Sequence, residues 1–433
     1  MNLFPNDNET ITGCAAALRR GELSCVELVN RCLNTIDERD AEVRAWVCVD
    51  RETARARAHE LDEELANGHD LGPLHGIPVG IKDIVDVVGL PTRCAFEPFA
   101  DRVAPEDAAV VSLLRSAGAV ILGKTVTTQF AGYDPPMTRN PWNTAHTPGG
   151  SSSGSAAAVA SGMCLAAIGS QTGGSITRPA AFCGIAGCKP TFGRVSTKGV
   201  YPLAPSLDHP GPFARTIGGL TLLMDCLCGF EQDSTGPAAP PPRIGRLRGW
   251  FEHDVDEEML AAFETTLASL ADFGATVTEP ALPTSYDDVP RHHRTVMLFE
   301  QARTHRQTFA EFRKAYRPGF AGQIAEGAKI PQSDYDASCQ HQRAIKPQMD
   351  ALFETYDILA SPAALGAAPD PSTTGNPAMN LPFSYTGLPT VTFPMGLSAR
   401  GLPLGIQLAG RALAEAELLL YAAWCEQAVN RSH

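Results

Sequence analysis

Three separate segments of this 433-residue sequence contain residue types that could carry out nucleophilic chemistry. They are HGIPVGIKDIVDVVG with Lys82, TPGGSSSGSAAAVASG with Ser151, Ser152 and Ser153, and GSQTGGSITRPAAFCG with Ser175. A serine hydroxyl becomes a strong nucleophile when a nearby base removes its proton. A lysine that has lost its charge can act as that base. The three segments could therefore form one catalytic site if the fold brings them together.

Lys82 stands out because the residues on both sides of it are apolar and strand-forming. Such a strand is usually buried on both faces, and burial lowers the pKa of an amine because it disfavours the charged form. The sequence therefore predicts a neutral lysine that can accept a proton. The alternative is a structural salt bridge, for which Asp86 would be the partner on the same face of the strand.

Ser175 follows an apolar, strand-like run and the pair Gly173-Gly174. Glycines permit a tight turn, and the free N–H groups at the start of a helix can form an oxyanion hole beside an exposed nucleophile. The alternative is an ordinary N-cap serine. No histidine lies near Ser175 in the sequence, and we expect the RHHR segment at 291–294 and His341 to lie on the surface.

The serine-rich segment 147–162 has two other interpretations. Runs of Gly and Ser are typical of flexible linkers, but an Ala-rich, helix-like run and an apolar, strand-like run follow this one. Gly150, Ser152 and Gly154 also match the G-x-S-x-G nucleophile elbow, which requires a strand directly before the serine. The preceding residues NPWNTAHTP contain two prolines and no strand pattern.

Taken together, the three segments resemble the amidase signature family, whose Ser-Ser-Lys triad comes from three such motifs in this order. The resemblance includes three further segments: GKTVTTQFAGYDPPMTRNPWN, GCKPTFGRVSTKGVYPLAPSLDHPGPFARTI and LPFSYTGLPTVTFPMGLSARGLPLGIQLAGR. It therefore spans most of the chain.

The resemblance implies a role for each member of the triad. Ser175 would be the nucleophile that forms an acyl-enzyme, Ser151 the bridging serine, and Lys82 the base. The bridging serine in this family follows a cis peptide bond, so we expect the bond between Gly150 and Ser151 to be cis. No cofactor and no metal are implied, because this chemistry needs neither.

The same resemblance implies supporting roles around the triad. The backbone N–H groups of the oxyanion hole would come from Thr172, Gly173, Gly174 and Ser175. Ser152 would support the triad by hydrogen bonding. We assign Ser153 and Ser155 to helix capping.

The segment around Ser175 departs from the commonest sequence pattern of the family at two positions. Gln171 stands where many members have Asp, which puts in doubt any role carried over from that position. Arg178 follows Ser175 by three residues, as in the malonamidase-like branch. At this spacing on a helix, Arg178 would share a face with Ser175 and could hold a substrate carboxylate in bidentate fashion. The alternative is an internal salt bridge, for example with Asp83.

We expect a serine hydrolase that cleaves the C–N bond of a small amide, urea-like or carbamate substrate. The pocket is expected to include the segment from Tyr133 to Met137 and the helical region 290–345. One alternative is the amidase subunit of a tRNA-dependent amidotransferase complex. Another is a non-catalytic binding protein that has kept the fold.

The elements that must position these residues alternate along the chain. The spacing of apolar residues in 1–68 predicts a helical N-terminal layer. Within it, Ser24 and Glu27 have the spacing of a capping box. Beyond it, short apolar runs alternate with helical stretches, which indicates an α/β/α sandwich with a mixed central sheet. The predicted strands include AVILGK, CLAAIGS, TVTFPMG and PLGIQLAG, and the predicted helices include 105–117, 215–229, 255–273 and 412–429.

We expect a single amidase signature domain over residues 1–433. Within it, the catalytic core would occupy 69–230 and the remaining core and pocket elements 244–433. A Pro- and Ala-rich surface crossing at 231–243 would separate these two parts.

Composition excludes several other classes of function. A net charge of −13 without any Lys/Arg block argues against nucleic-acid and anionic-membrane partners. The twelve cysteines show no C-x-x-C and no paired Cys/His spacing, so we expect reduced thiols and no zinc site. The sequence shows no signal peptide and no run approaching ~18 apolar residues, which predicts a cytoplasmic protein. A homodimer is common in the family and is our expectation here.

Overall fold

The computed structural model describes residues 2–230 and 239–432. Most of the predicted surface crossing at 231–243, namely residues 231–238, lies outside the described residues. None of the described helices is both long enough and apolar enough to cross a lipid bilayer.

A mixed sheet of eleven strands forms the centre of the described structure, as the sequence predicted. The strands are β1 (Trp46–Val49), β2 (Pro78–Lys82), β3 (Val120–Thr125), β4 (Ala166–Gln171), β5 (Ala186–Lys189), β6 (His209–Ala214), β7 (Arg243–Arg246), β8 (Thr276–Thr278), β9 (Ile358–Pro362), β10 (Thr390–Leu397) and β11 (Pro403–Ala409). Their order across the sheet is β1-β3-β2-β4-β6-β5-β10-β11-β9-β7-β8.

Helices pack around this sheet and give the predicted α/β fold class. They are α1 (Ile11–Arg19), α2 (Cys25–Val43), α3 (Arg51–Ala66), α4 (Ala109–Ser116), α5 (Ser153–Ala160), α6 (Thr177–Cys183), α7 (Ile217–Cys228), α8 (Glu257–Asp272), α9 (Val289–Thr304), α10 (Arg306–Phe312), α11 (Pro318–Gly327), α12 (Gln332–Asp350), α13 (Leu381–Thr386) and α14 (Glu415–Ser432). Helix α9 packs against α11, α12 and α13.

The N-terminal layer is mostly helical, as predicted. The capping box at Ser24 and Glu27 is present at the start of α2. The expectation of helices alone was wrong, however, because β1 lies between α2 and α3 and pairs antiparallel with β3 at the sheet edge. A four-residue strand such as WVCV is too short to give a clear periodic pattern.

Strand β2 places Lys82 at the carboxyl edge of the sheet. It lies between β3 and β4 and runs parallel to both, and all five of its residues are buried. The predicted continuation of this strand to Asp86 is wrong, because the N–H groups of Ile84 and Val85 turn back to the carbonyl of Lys82. Asp86 instead forms an ion pair with Arg102 at 2.9 Å, so it is not the partner of Lys82.

The serine-rich segment is a core element and not a linker. Residues 147–161 are all buried, and helix α5 begins at Ser153 and packs on β2, β3 and β4. No strand directly precedes Ser152, so the nucleophile-elbow interpretation does not hold. The Gly154 N–H donates to Val126 O at 2.9 Å, which anchors the start of α5 beside the end of β3.

We predict that Gly154→Ala destabilises the fold. An added Cβ would clash with the backbone at Ala45 O and Val126 N, and overpacking of this kind costs about 1–3 kcal/mol. Gly322→Ala is the control, since Gly322 lies in helix α11 and no heavy atom lies within 4 Å of its added Cβ. Urea unfolding should show a lower unfolding free energy for Gly154→Ala alone. Equal stabilities would contradict the close backbone approach.

Candidate active site

The Lys82 amine is fully buried and binds two serine hydroxyls. Its Nζ donates to Ser151 Oγ at 2.7 Å and to Ser170 Oγ at 2.8 Å. Burial holds the pKa of Lys82 well below its usual value, although the negative charge of Asp208 acts in the opposite direction. Burial thus favours the uncharged form of the amine that lies directly beside Ser151.

A second buried lysine pairs with the carboxylate of the residue that follows Lys82 in the chain. Lys124 Nζ lies 3.2 Å from Asp83 Oδ1, and both side chains are almost completely buried. The proposed salt bridge between Arg178 and Asp83 is therefore wrong. Lys82 also makes no ion pair among the described residues, which leaves its amine bound to hydroxyl groups only.

The peptide bond between Gly150 and Ser151 is cis, as predicted. Ser152 lies next to this bond and contacts both backbone groups of Ser170. The Ser170 N–H donates to Ser152 Oγ, and Ser152 Oγ donates to the Ser170 carbonyl, each at 3.2 Å. Ser152 thus ties the serine segment to the residue whose hydroxyl binds Lys82.

The capping roles expected for Ser153 and Ser155 are wrong. Ser153 Oγ donates backwards to the Gly149 carbonyl at 2.7 Å. Ser155 Oγ lies 2.7 Å from Thr125 Oγ1 and donates to the Ile168 carbonyl at 3.0 Å. Both hydroxyls therefore join α5 to its neighbours and do not cap its first turn.

Ser175 lies in the turn between β4 and α6 and is partly exposed. The serine segment packs against this turn, because Arg178 Nη2 donates to the Gly150 carbonyl at 2.7 Å. No hydrogen bond of the described residues joins the Ser151 and Ser175 hydroxyls directly. The structure thus places the two segments side by side, with Lys82 bonded on the Ser151 side.

Gln171 organises the turn that carries Ser175. Its Oε1 accepts hydrogen bonds from the N–H groups of Ile176 at 2.8 Å and Thr177 at 2.9 Å. These are orphan donors at the start of α6, so Gln171 does the capping that the N-cap alternative assigned to Ser175. A carboxamide oxygen is enough for this role, which resolves the question raised by the missing Asp.

Ser175 opens into a narrow cleft. The residues that matter for its chemistry are Tyr133, Thr172, Gly173, Gly174, Ser175, Arg178 and Met297. No Asp or Glu side chain is among the described residues that line the cleft. The Tyr133 hydroxyl lies 3.9 Å from Met297 Sδ, and burial raises the pKa of Tyr133. The cleft therefore has a neutral wall and a single cationic side chain.

That cation, Arg178, is buried and retains hydrogen-bonding capacity. Its Nε donates to the Thr374 carbonyl at 2.7 Å, whereas Nη1 has no partner among the described residues. Burial lowers the pKa of Arg178 to about 10, so it remains charged near neutral pH. A Cβ on Gly174 would lie 3.1 Å from this Nη1 and 2.5 Å from Asn380 Oδ1, which explains the glycine.

The surface position expected for the histidines at 291–294 is wrong. His292 and His293 are both buried, and His293 Nε2 lies 2.9 Å from the Thr172 carbonyl oxygen. His341 is half-buried, and its ring stacks on His292 with centroids 4.1 Å apart. His293 and Met297 are one helical turn apart on α9, a spacing that could have indicated a common buried face.

Of the predicted pocket region 290–345, helix α9 is the part whose side chains reach the cleft and its loop. The predicted segment Tyr133–Met137 contributes Tyr133 to the lining. Among the described residues, no group of three or more His, Cys, Asp or Glu side chains is arranged to hold a metal ion.

Comparison with known proteins decides the family. The amidase family profile matches residues 27–419. The chain belongs to the amidase family. It has the amidase-signature serine hydrolase fold and is an amidase-family enzyme, although its assignment to a malonamidase-like branch is not decided by this match.

The chain is similar to proteins with different printed functions. It is 34% identical to a subunit of the glutamyl-tRNA(Gln) amidotransferase of Synechococcus sp. (strain CC9605), covering 97% of this chain and 96% of the relative. This chain is also similar to a solved structure with 29% sequence identity and a TM-score of 0.89. That structure is described as an unexpected vestigial protein complex that reveals the evolutionary origins of an s-triazine catabolic enzyme. That likeness covers 96% of this chain and 98% of the other.

The peptide amidase from Stenotrophomonas maltophilia is a further structural neighbour. The two sequences are 28% identical, the TM-score is 0.85, and the likeness covers 97% of each chain. The family therefore includes proteins named as amidases and proteins named as subunits of an amidotransferase.

We predict that burial of Lys82 makes stability depend on pH. Because burial lowers its pKa in the folded chain, the unfolded chain binds the proton more readily, and wild-type folding is penalised below the ordinary lysine pKa of roughly 10.4. Lys82→Met removes this penalty. The stability of the variant relative to wild type should be greatest at acidic pH and decline as pH rises from the lowered folded pKa towards roughly 10.4.

Urea unfolding at pH values of about 6, 8 and 10 measures this slope. The slope is the diagnostic quantity, since the variant also loses the hydrogen bonds to Ser151 and Ser170. Lys198→Met is the control, because Lys198 is largely exposed. A pH-independent difference at position 82 would mean that the buried amine stays charged.

Proposed function

We propose that this chain hydrolyses the C–N bond of a small, carboxylate-bearing amide through an acyl-enzyme on Ser175. The observation that carries the proposal is the 2.7 Å hydrogen bond between the buried Lys82 amine and Ser151 Oγ, beside the turn that holds Ser175. An uncharged amine in this position can accept a proton through a serine hydroxyl.

In the first half of the reaction, Ser175 Oγ attacks the substrate carbonyl carbon. The Ser175 proton passes to Ser151 Oγ, while the proton of Ser151 passes to Lys82 Nζ. The resulting oxyanion accepts hydrogen bonds from backbone N–H groups of residues 172–175. The proton then returns through Ser151 to the leaving nitrogen, the C–N bond breaks, and the amine or ammonia departs.

In the second half, a water molecule attacks the acyl-enzyme carbonyl. Its proton follows the same path through Ser151 to Lys82 and returns to Ser175 Oγ as the ester bond breaks. The products are a carboxylic acid and free enzyme. Lys82 must be neutral at the start of each half, which its burial favours.

The substrate class follows from the charges around the cleft. Arg178 supplies a guanidinium with an unused N–H group, and charge-assisted bonds from Arg favour a planar carboxylate. A substrate ammonium group would find no carboxylate among the described lining residues. These features support a short monoamide of a dicarboxylic acid and thus the malonamidase-like branch, with Tyr133 and Met297 against its apolar part.

A second candidate is the amidase subunit of a tRNA-dependent amidotransferase. The curated relatives favour it more directly than they favour a free-standing enzyme, since the similarity to a glutamyl-tRNA(Gln) amidotransferase subunit covers 97% of this chain. The same serine chemistry would release ammonia from an amide donor such as glutamine. In that case partner chains would be required, and the donor's ammonium would need a carboxylate from outside the described cleft lining.

We predict that Ser175→Ala abolishes amide hydrolysis and labelling by a fluorophosphonate probe, because the nucleophile is lost. Mass spectrometry of the labelled wild-type chain should locate the adduct on Ser175. The exposed Ser196 provides the control variant, and Ser196→Ala should react like wild type. Appreciable turnover by Ser175→Ala would falsify the nucleophile assignment.

We predict that kcat/KM is higher for succinamate than for benzamide or glutamine. Arg178→Ala should lower the succinamate value by roughly 10- to 100-fold, the effect of losing a charge-assisted hydrogen bond, and should change the benzamide value much less. The benzamide rate controls for the structural contacts of Arg178 with Gly150 and Thr374. A preference for glutamine, with stable partner chains retained on purification, would instead support the amidotransferase role.

A further inference from the structure

Hydrogen bonds occupy successive carbonyl groups at the end of β4 and in the loop that connects it to α6. Four successive carbonyl oxygens each accept a hydrogen bond: Gln171 O from His209 Nδ1 at 3.2 Å, Thr172 O from His293 Nε2 at 2.9 Å, Gly173 O from Ser384 Oγ at 2.7 Å, and Gly174 O from the Arg178 N–H at 3.0 Å. Two of these donors, His293 and Ser384, are side chains far away in the sequence.

The N–H groups at the centre of the same loop have no partner in the described part of the chain. Among the described residues, the N–H groups of Gly173, Gly174 and Ser175 find no acceptor. The next two N–H groups, of Ile176 and Thr177, are both taken by Gln171 Oε1. The backbone donors available to a ligand in the cleft are therefore limited to the few residues around Gly173.

The planar trans peptide links these two observations. The C=O of one residue and the N–H of the next belong to one rigid unit and point in nearly opposite directions. A hydrogen bond that holds the Thr172 carbonyl therefore also directs the Gly173 N–H, and one that holds the Gly173 carbonyl directs the Gly174 N–H. Glycine would otherwise leave both peptide units free to rotate.

We propose that His293 and Ser384 are positioning residues that aim the Gly173 and Gly174 N–H groups at the developing oxyanion. They act by holding the Thr172 and Gly173 carbonyls turned away from the cleft. This inference rests on the proposed acyl-enzyme chemistry at Ser175 and adds to it a source of oxyanion-hole geometry outside the three segments that contain Lys82, Ser151 and Ser175.

The state of His293 suits this role. Its partner is a carbonyl oxygen, which can only accept, so Nε2 must carry the hydrogen. Burial lowers the pKa of His293 to about 4, so the ring is neutral at ordinary pH. It adds a donor to the loop without adding a second positive charge near Arg178.

The proton of Ser384 also has a defined direction. Gln171 Nε2 donates to Ser384 Oγ at 3.1 Å, which leaves the Ser384 hydroxyl hydrogen for the Gly173 carbonyl at 2.7 Å. Gln171 thus links the cap of α6 and the hydrogen bond from Ser384 to the Gly173 carbonyl in one network. Because helices α9 and α13 supply the two donors, the oxyanion donors are aligned only when the C-terminal half of the chain is in place.

The test is the rate at which a fluorophosphonate labels Ser175, measured with the full chain. In this reaction the Ser175 Oγ–P bond forms, the P–F bond breaks, fluoride leaves, and the serine proton passes to Ser151 and Lys82. The phosphoryl oxygen gains negative charge as an amide oxygen would, but the probe needs no contact with Arg178. The measurement therefore does not depend on which amide is the substrate.

We expect His293→Phe to slow labelling by roughly 10- to 100-fold, a loss somewhat below that of a deleted oxyanion donor. The same fraction of chains should finally be labelled. His293→Gln should recover most of the rate, since its amide can donate from a similar position. His292→Phe is the matched control on the same helix, because His292 binds Ser338 and not the loop.

A second pair of variants covers the case in which His293→Phe does not fold. Ser384→Ala removes the donor to the Gly173 carbonyl with little change in volume, and should also slow labelling. Thr386→Val on the same helix is its control, since the Thr386 hydroxyl bonds within α13 to the Pro382 carbonyl.

The outcomes separate the two proposals. Wild-type labelling rates in both His293→Phe and Ser384→Ala would overturn the positioning role and leave the proposed function standing. If wild type itself is not labelled at Ser175, the nucleophile assignment fails, and the positioning role fails with it. The proposal is supported if His293→Phe and Ser384→Ala are labelled slowly while the controls His292→Phe and Thr386→Val are not. All four variants should then unfold at the normal temperature.

Discussion

The site depends on the exclusion of water from around the Lys82 amine. An ammonium ion at this depth would lose most of its hydration, so the folded chain favours the neutral form. This state persists because the amine binds the hydroxyl groups of Ser151 and Ser170, and because Asp83, the next residue in the chain, is paired with Lys124. The parallel strands on both sides of β2 and helix α5 above them provide the necessary burial.

The two halves of the chain contribute different parts of the chemistry. Residues 78–183 carry Lys82, Ser151, Ser175 and the N–H groups of the turn, in β2 and in the segments that lead into α5 and α6. The later helices α9 and α13 add His293 and Ser384, which hold the carbonyl side of that turn. In the proposed mechanism, one segment of the chain therefore supplies the reactive groups, whereas distant helices set the direction of the oxyanion donors.

The two candidate functions share this machinery and differ in what the cleft recognises. Arg178 offers one positive charge in a cleft whose described lining is otherwise neutral, which suits a compact anionic amide. The amidotransferase relatives show that the same family fold also occurs in a protein named as one subunit of a larger enzyme. Charge around the cleft and association with partner chains are therefore the properties that separate the candidates.

Local sequence patterns determined much of this protein. Alternation of apolar runs and amphipathic stretches predicted the mixed α/β sheet, and the apolar residues around Lys82 predicted a buried amine, because these depend on neighbouring residues. The cis bond before Ser151 was expected from the family resemblance and not from local residue patterns. The edge strand β1 and the burial of His293 were decided by tertiary structure. His293 meets the Thr172 carbonyl 121 residues away, and such a contact depends on strand order and helix packing, which local residue patterns do not encode.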